Sequence, residues 1–245
     1  MSDHIADYVA PSLTVGSLFS GIGGFDLGLE AAGLRVLWQS EIEPYCNKVL
    51  AARWPHVPNH GDIRQIDWST VERVAVLCGG FPCQDISRAG RRAGIGGVKS
   101  GLWSEVYRAV RSLRPDYLLL ENSTSLTVQG LEVVASDLAE IGYDTEWDCL
   151  PAQAFGASHI RDRIYVLAYP SGGRHRTSDQ TVFAGWTSSQ LHGRWPAQPR
   201  MARITDGVPH RVDRVRSLGN AVCPPVAEWL GERLLAAHID GGVSA

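Results

Sequence analysis

The stretch LTVGSLFSGIGGFDLGLEAAG, residues 13–33, constrains the fold more than any other part of the chain. An apolar run ends at Phe19 and Ser20, glycines follow at Gly21, Gly23 and Gly24, and helix-like spacing begins at Phe25. Strand, glycine turn and helix in that order make the first unit of an open α/β sheet, where small residues let a nucleotide-like ligand approach the backbone. Glu41 follows Gly21 by twenty residues, at the end of the next apolar run. A carboxylate there accepts hydrogen bonds from ribose hydroxyls. The pattern serves NAD and S-adenosylmethionine alike, and a tight turn that needs glycine for geometry alone leaves the same letters. Asp62, in Gly61-Asp62-Ile63, stands where an acid holds an adenine amino group, although Gly-Asp is also ordinary turn chemistry.

The alternation begun by this unit continues to Tyr169 and predicts a parallel sheet with helices on both faces. Strands are expected over Leu13–Phe19, Val36–Gln39, Val74–Cys78, Tyr117–Leu120, Thr145–Leu150 and Ile164–Tyr169. Helices are expected over Phe25–Ala32, Pro44–Arg53, Trp103–Leu113 and Leu131–Ile141. With 245 residues, 44% of them hydrophobic, the chain has material for one substantial core. The opening MSDHIADYVAPS lacks the basic start and apolar run of a signal or anchor, and no stretch approaches the roughly 18 apolar residues of a membrane span. A soluble, cytoplasmic protein without membrane contact is therefore expected.

Texture changes after Tyr169, where Gly, Ser, Thr, Arg and Trp dominate without periodicity. From Tyr169 to Arg216 there are eight arginines and three aspartates, a balance of +5, so that the rest of the chain carries −8 of the net −3. Such a block is either a solvated loop or a grip on a phosphate backbone. Val226, Trp229, Leu230 and Leu234 then resume helical spacing behind Pro224 and Pro225. The chain accordingly divides into an α/β domain (1–169), a short irregular arginine-rich region (170–213) and a segment of renewed regular structure (214–245).

Five cysteines with no C-x-x-C pair argue against both a disulfide framework and a zinc ribbon, and no metal is expected. Cys83 differs from the rest because VAVLCGGFPCQDIS sets it just past a strand, on a loop opened by two glycines and stiffened by Pro82. Ligands of open α/β sheets bind outside the carboxyl ends of the strands, so this thiol falls beside the expected cofactor site. A small buried cysteine is the bland alternative, and it is the expectation for Cys46, Cys78 and Cys149. The following SRAGRRAGIGGVKSGLW is basic and glycine-rich, suited either to closing over a substrate or to an ordinary solvated loop. Glu121 ends DYLLLEN at the same edge of the sheet, where partial burial would raise its pKa and make it a proton donor near neutrality.

In this order the motifs resemble the C5-cytosine DNA methyltransferase family, and the likeness spans most of the chain. FSGIGG with Glu41 resembles its cofactor turn, GFPCQDIS its nucleophile loop, LLLENS its ENV motif, FGASHIRDRIYVLAY its Q-x-R-x-R strand, and RSLGNAVCPPVAEWLGERL its closing motif. The resemblance implies a Rossmann-like sheet dependent on S-adenosylmethionine, with a covalent Cys83 adduct on a flipped cytosine of double-stranded DNA. Glu121 would bond or protonate N3, Arg163 would hold O2, and Arg161 would support the loop. Phe19, Ser20, Gly21, Gly23, Gly24, Glu41, Ile42, Asp62, Ile63, Pro82, Leu102, Asn220 and Val222 match positions around the cofactor.

The chain also departs from the family pattern. Ser17 stands where an Asp is frequent, Ile42 where an aromatic often covers the adenine, Ser123 for the usual Val and His159 for the usual Gln. The resemblance makes 1–169 the catalytic and cofactor-binding domain, 170–213 a target-recognition region much shorter than in the family, and 214–245 a segment returning to the catalytic domain. A zinc nucleobase deaminase fails for want of H-x-E and P-C-x-x-C. An NAD oxidoreductase accounts for the glycine turn but not for PCQ beside ENS. A non-enzymatic DNA-binding descendant and a transfer RNA methyltransferase stay open, as do a cognate restriction endonuclease or orphan status. A monomer is expected, with an oligomer not excluded.

Overall fold

The computed structural model describes residues 13–81, 101–172, 181–184 and 211–242. Pro82, Cys83, the basic stretch after them and most of the expected recognition region lie outside the described residues.

Six strands form one sheet: β1 (Thr14–Leu18), β2 (Arg35–Ser40), β3 (Val76–Gly80), β4 (Tyr117–Ser123), β5 (Tyr143–Pro151) and β6 (Asp162–Pro170), in the order β2-β1-β3-β4-β6-β5. The helices are α1 (Gly24–Ala31), α2 (Pro44–Arg53), α3 (Leu102–Leu113), α4 (Leu131–Glu140), α5 (Arg211–Asn220) and α6 (Pro224–Gly242). β2, β1, β3 and β4 run parallel, as expected. β6 does not: it pairs antiparallel with β4 on one side and β5 on the other. The reason is length. Only residues 152–161 join β5 to β6, fewer than the dozen or so that a parallel crossover needs, so the chain turns straight back.

Each face of the sheet carries its own core. On one, Val15, Val36, Val76 and Leu119 meet Phe25 and Leu29 of α1 and Trp229, Leu230 and Leu234 of α6. A Cβ on Gly28 would run into the carbonyl of Pro224, so glycine there is what lets α1 and α6 approach. On the other face, Trp103, Val106, Ala109, Val110 and Leu113 make the buried stripe of α3 against Leu77, Leu118 and Leu120. Trp103 Nε1 donates to Asp137 Oδ2 at 2.8 Å and so ties α3 to α4. Among the described residues no helix is long and apolar enough to cross a membrane.

One polar cluster sits in this otherwise apolar frame. Asp26, fully buried in the first turn of α1, accepts from Ser17 Oγ on β1 at 3.0 Å and from Gln39 Nε2 on β2 at 2.6 Å. Ser17, at a position where the resemblance led one to expect an acid, thus acts as a donor to an acid supplied by the neighbouring helix. Burial raises the Asp26 pKa to about 6 against the pull of these two hydrogen bonds.

Segment 181–184 lies against the core. Phe183 is buried in the core of the α1 face, and the Val182 amide donates to Glu146 Oε1 of β5 at 3.3 Å. α5 runs across the boundary expected at residues 213 and 214.

Candidate active site

The carboxyl ends of β1 to β4 open into a cleft of about 930 Å³. Because β6 is antiparallel, its start arrives at the same edge, and Arg161 just before it and Arg163 within it line the cleft with Glu121. Phe19, Gly21, Glu41, Ile42, Asp62, Ile63, Leu102 and Asn220 also line it, so one cavity collects most of the residues singled out in the sequence.

Ser20, Gly23, Gly24 and Val222 are not among its lining residues. Ser20 is buried and donates from Oγ to the Ser17 carbonyl at 3.0 Å. A Cβ on Gly23 would meet the Trp54 ring, and one on Gly24 would meet the backbone of Val222. These two glycines admit protein rather than ligand. Gly21 differs: its φ is 57°, its Cβ position is open, and its amide donates to Glu41 Oε2 at 2.8 Å.

Glu41 also accepts at Oε1 from the amides of Ile42 at 2.9 Å and Glu43 at 2.8 Å. Three backbone donors therefore hold a carboxylate of roughly four lone-pair sites, and one site on Oε2 stays available to a further hydroxyl. The Asp62 side chain caps the turn Ile63–Gln65 and is gripped by the Arg64 guanidinium, which holds its pKa below the ordinary carboxylate value. Ile42 presents an exposed aliphatic face at the rim.

At the other end of the cleft, Glu121 is buried, its backbone beside Gly80 of β3 and Tyr165 of β6. Arg163 Nε lies 3.0 Å from Oε1 but off the hydrogen-bonding direction, and Oε1 has no aligned donor. Arg161 Nη2 stands 3.8 Å from the same oxygen. Desolvation outweighs both cations and raises the Glu121 pKa. Arg161 directs its guanidinium mainly at the end of α5 and the residue after it, donating from Nη1 to the Gly219 carbonyl at 2.8 Å and from Nη2 to that of Ala221 at 2.6 Å.

Sequence reasoning missed two features. Asn122, read only as the neighbour of Glu121, is buried and donates from Nδ2 to the Phe81 carbonyl at 2.7 Å, which fixes the end of β3 where the chain leaves for Pro82 and Cys83. α5 went unrecognised because DGVPHRVDRVRSLGN shows charge without a clear apolar stripe. Its face of Asp213, Arg216, Ser217 and Asn220 follows i, i+3, i+4, i+7 spacing and lines the cleft instead of a core. Arg216 lies 3.7 Å from Glu43, and Ser217 Oγ 3.6 Å from Cys46 Sγ. Cys46 and Cys78 are buried as expected, whereas Cys149 is half-buried.

Residues 13–201 match the family model described as C-5 cytosine-specific DNA methylase. The type II methyltransferase M.HhaI of Haemophilus parahaemolyticus is 31% identical over 170 residues, which cover 68% of this chain and 52% of that protein. M.MspI of Moraxella sp is 32% identical over 163 residues, covering 64% and 39%. The chain thus spans about half the length, or less, of these curated relatives. Among solved structures, a DNMT2 variant of Spodoptera frugiperda superimposes with a TM-score of 0.56 at 20% identity over 66% of this chain and 51% of its own, a likeness of fold. A prophage-encoded putative DNA modification methyltransferase of E. coli gives a TM-score of 0.54 at 25% identity over 65% and 47%.

Proposed function

The chain belongs to the C-5 cytosine-specific DNA methylase family, and from that premise we propose that it is an S-adenosylmethionine-dependent DNA (cytosine-5-)-methyltransferase acting through a covalent Cys83 adduct. The observation that carries the reading is Glu121: a buried carboxyl with a raised pKa, beside two arginines, in the cleft where β3 ends. Cys83 follows Phe81 by two residues, and two residues of chain span at most about 7 Å. A thiol, a carboxylic acid and a guanidinium are the groups that addition to a pyrimidine ring requires.

The described side chains fit the cofactor. Glu41 keeps a free acceptor site for a ribose hydroxyl, Ile42 and Phe19 offer apolar surface to a purine, and Asn220 adds polar groups at the wall. Six acids and four arginines line the cleft among the described residues, which suits a ligand that carries positive charge. S-adenosylmethionine, when bound, supplies an electrophilic methyl group on its sulfonium.

The chain's own groups prepare the base. Cys83 Sγ, as thiolate, adds to carbon 6 of a cytosine rotated out of the duplex, forming a carbon–sulfur bond. Glu121 bonds or protonates N3, so the electron pair displaced by the addition does not accumulate as ring charge, and Arg163 holds O2. Carbon 5 thereby becomes nucleophilic and takes the methyl group. A water molecule then takes the carbon 5 proton, the released electron pair re-forms the carbon 5–carbon 6 double bond, and the carbon–sulfur bond breaks to return Cys83 as thiolate. Flipping is required because stacked neighbours cover the ring face inside a duplex. Double-stranded DNA is the proposed partner, its phosphates met by the arginines of the region 170–213.

The test has two arms. Labelled methyl groups should pass to duplex DNA and not to transfer RNA, and the wild-type chain should form a covalent complex with DNA containing 5-fluorocytosine that Cys83→Ser abolishes. Persistence of that complex in the variant removes Cys83 from the mechanism, and transfer to neither nucleic acid favours a binding module.

A further inference from the structure

The segment Gly219–Val222 touches three parts of the site at once. Its backbone packs against Gly24 at the glycine turn, the Val222 side chain comes near Gly80 at the end of β3, and its carbonyls at 219 and 221 receive the guanidinium of Arg161. Those two carbonyls bracket Asn220, which lines the cleft. The same guanidinium reaches to 3.8 Å from Glu121 Oε1. Arg161 therefore stands between the wall expected to hold the cofactor and the carboxyl expected to hold the base.

The network is also incomplete. Arg161 Nε and Glu121 Oε1 are both buried without a hydrogen-bond partner, although the groups that carry them are neighbours of opposite charge. A buried polar network with unfilled donors and acceptors is costly and responds to small shifts that fill them. A ligand that moves either Asn220 or Glu121 shifts the guanidinium toward or away from the other.

We propose that Arg161 is a positioning residue that couples cofactor binding to base binding by joining the Gly219 and Ala221 carbonyls to Glu121. The inference rests on the methyltransferase reading above. Coupling of this kind is reciprocal: a cofactor that tightens the hold on the base is itself held more tightly once the base is in place. Arg suits the role because its rigid planar fork donates to both carbonyls while its charge lies 3.8 Å from the carboxylate, a fixed geometry that the single ammonium of a lysine does not reproduce.

The experiment measures S-adenosylhomocysteine affinity by calorimetry, for the full chain alone and saturated with the duplex site found by sequencing DNA methylated by the wild type. In the wild type, duplex should tighten the affinity by about five-fold or more, the lower end of usual coupling. In Arg161→Lys and Arg161→Met the ratio should fall below about two-fold, while affinity in the absence of DNA changes less than that coupling does. Glu121→Gln, which removes the charge but keeps the shape, should lower the ratio in the same way and serves if the Arg161 variants do not fold. A wild-type ratio near one, an unchanged ratio in the variants, or an equal loss of affinity with and without DNA overturns the proposal. Wild-type chain that traps on 5-fluorocytosine DNA without showing coupling sinks this inference alone, whereas absence of trapping and of methyl transfer sinks the function on which it rests.

Discussion

Asp26→Asn tests the buried polar cluster beneath the glycine turn. The folded-state pKa of Asp26 is about 6 against an ordinary 3.8, because complete burial disfavours the charged form more than Ser17 and Gln39 favour it. Between these values the folded chain binds a proton that the unfolded chain has released. The stabilisation is therefore fully present below about pH 4 and is lost as pH rises through about 6. Two pH units at 1.36 kcal/mol each make that loss about 3 kcal/mol. Asparagine has the same shape and does not titrate. Its Oδ1 keeps the Gln39 bond and its Nδ2 donates to Ser17 Oγ, with roughly 1 kcal/mol lost for a reversed bond. The variant should then be about 2 kcal/mol more stable than wild type at pH 8 and about 1 kcal/mol less stable near pH 4. Urea denaturation followed by fluorescence of the eight tryptophans reads both limits. Other acids titrate equally in both proteins, so the difference curve isolates Asp26. Two curves that stay parallel from pH 4 to 8 refute the argument that Asp26 is ionised at a cost in the folded chain.

Two further perturbations address the site. Glu121→Gln should lower kcat by roughly 10²–10⁴, the usual contribution of a general acid, with less effect on S-adenosylhomocysteine binding in the absence of DNA. In the wild type, carbon-13 NMR should show the Glu121 carboxyl titrating above the ordinary glutamate range, and Arg163→Gln should move it further up by removing an opposing positive charge. Gly24→Ala should cost roughly 1–3 kcal/mol in urea denaturation, because its Cβ meets the Val222 backbone and a backbone cannot rotate aside. It should also weaken cofactor binding through the displaced Asn220.

Much of the scaffold was legible in the sequence. α2 spans Pro44–Arg53 in expectation and structure alike, since a proline at its first position marks its start whatever packs on it. β3 was expected to stop at Cys78 but continues through Gly79 and Gly80. Glycine weakens a strand in isolation, yet a Cβ at Gly79 would crowd the Leu18 carbonyl, so it is the neighbouring strand that requires glycine there. The direction of β6 was misread because alternating apolar runs look the same in either orientation.

By itself, the sequence determined the chemical inventory and its order: a glycine turn with Glu41, a thiol at Cys83, a carboxyl at Glu121, and arginines at 161 and 163. Those are properties of residue type and spacing along one chain. Only the tertiary structure decided which glycines face the cleft and which face protein, that α5 forms and lines a wall, and that Arg161 bonds the Gly219 and Ala221 carbonyls. The raised pKa of Glu121 belongs to the same class. Burial, close approach and hydrogen-bond satisfaction depend on atoms brought from distant parts of the chain, such as Gly219 beside Arg161 across 58 residues of sequence.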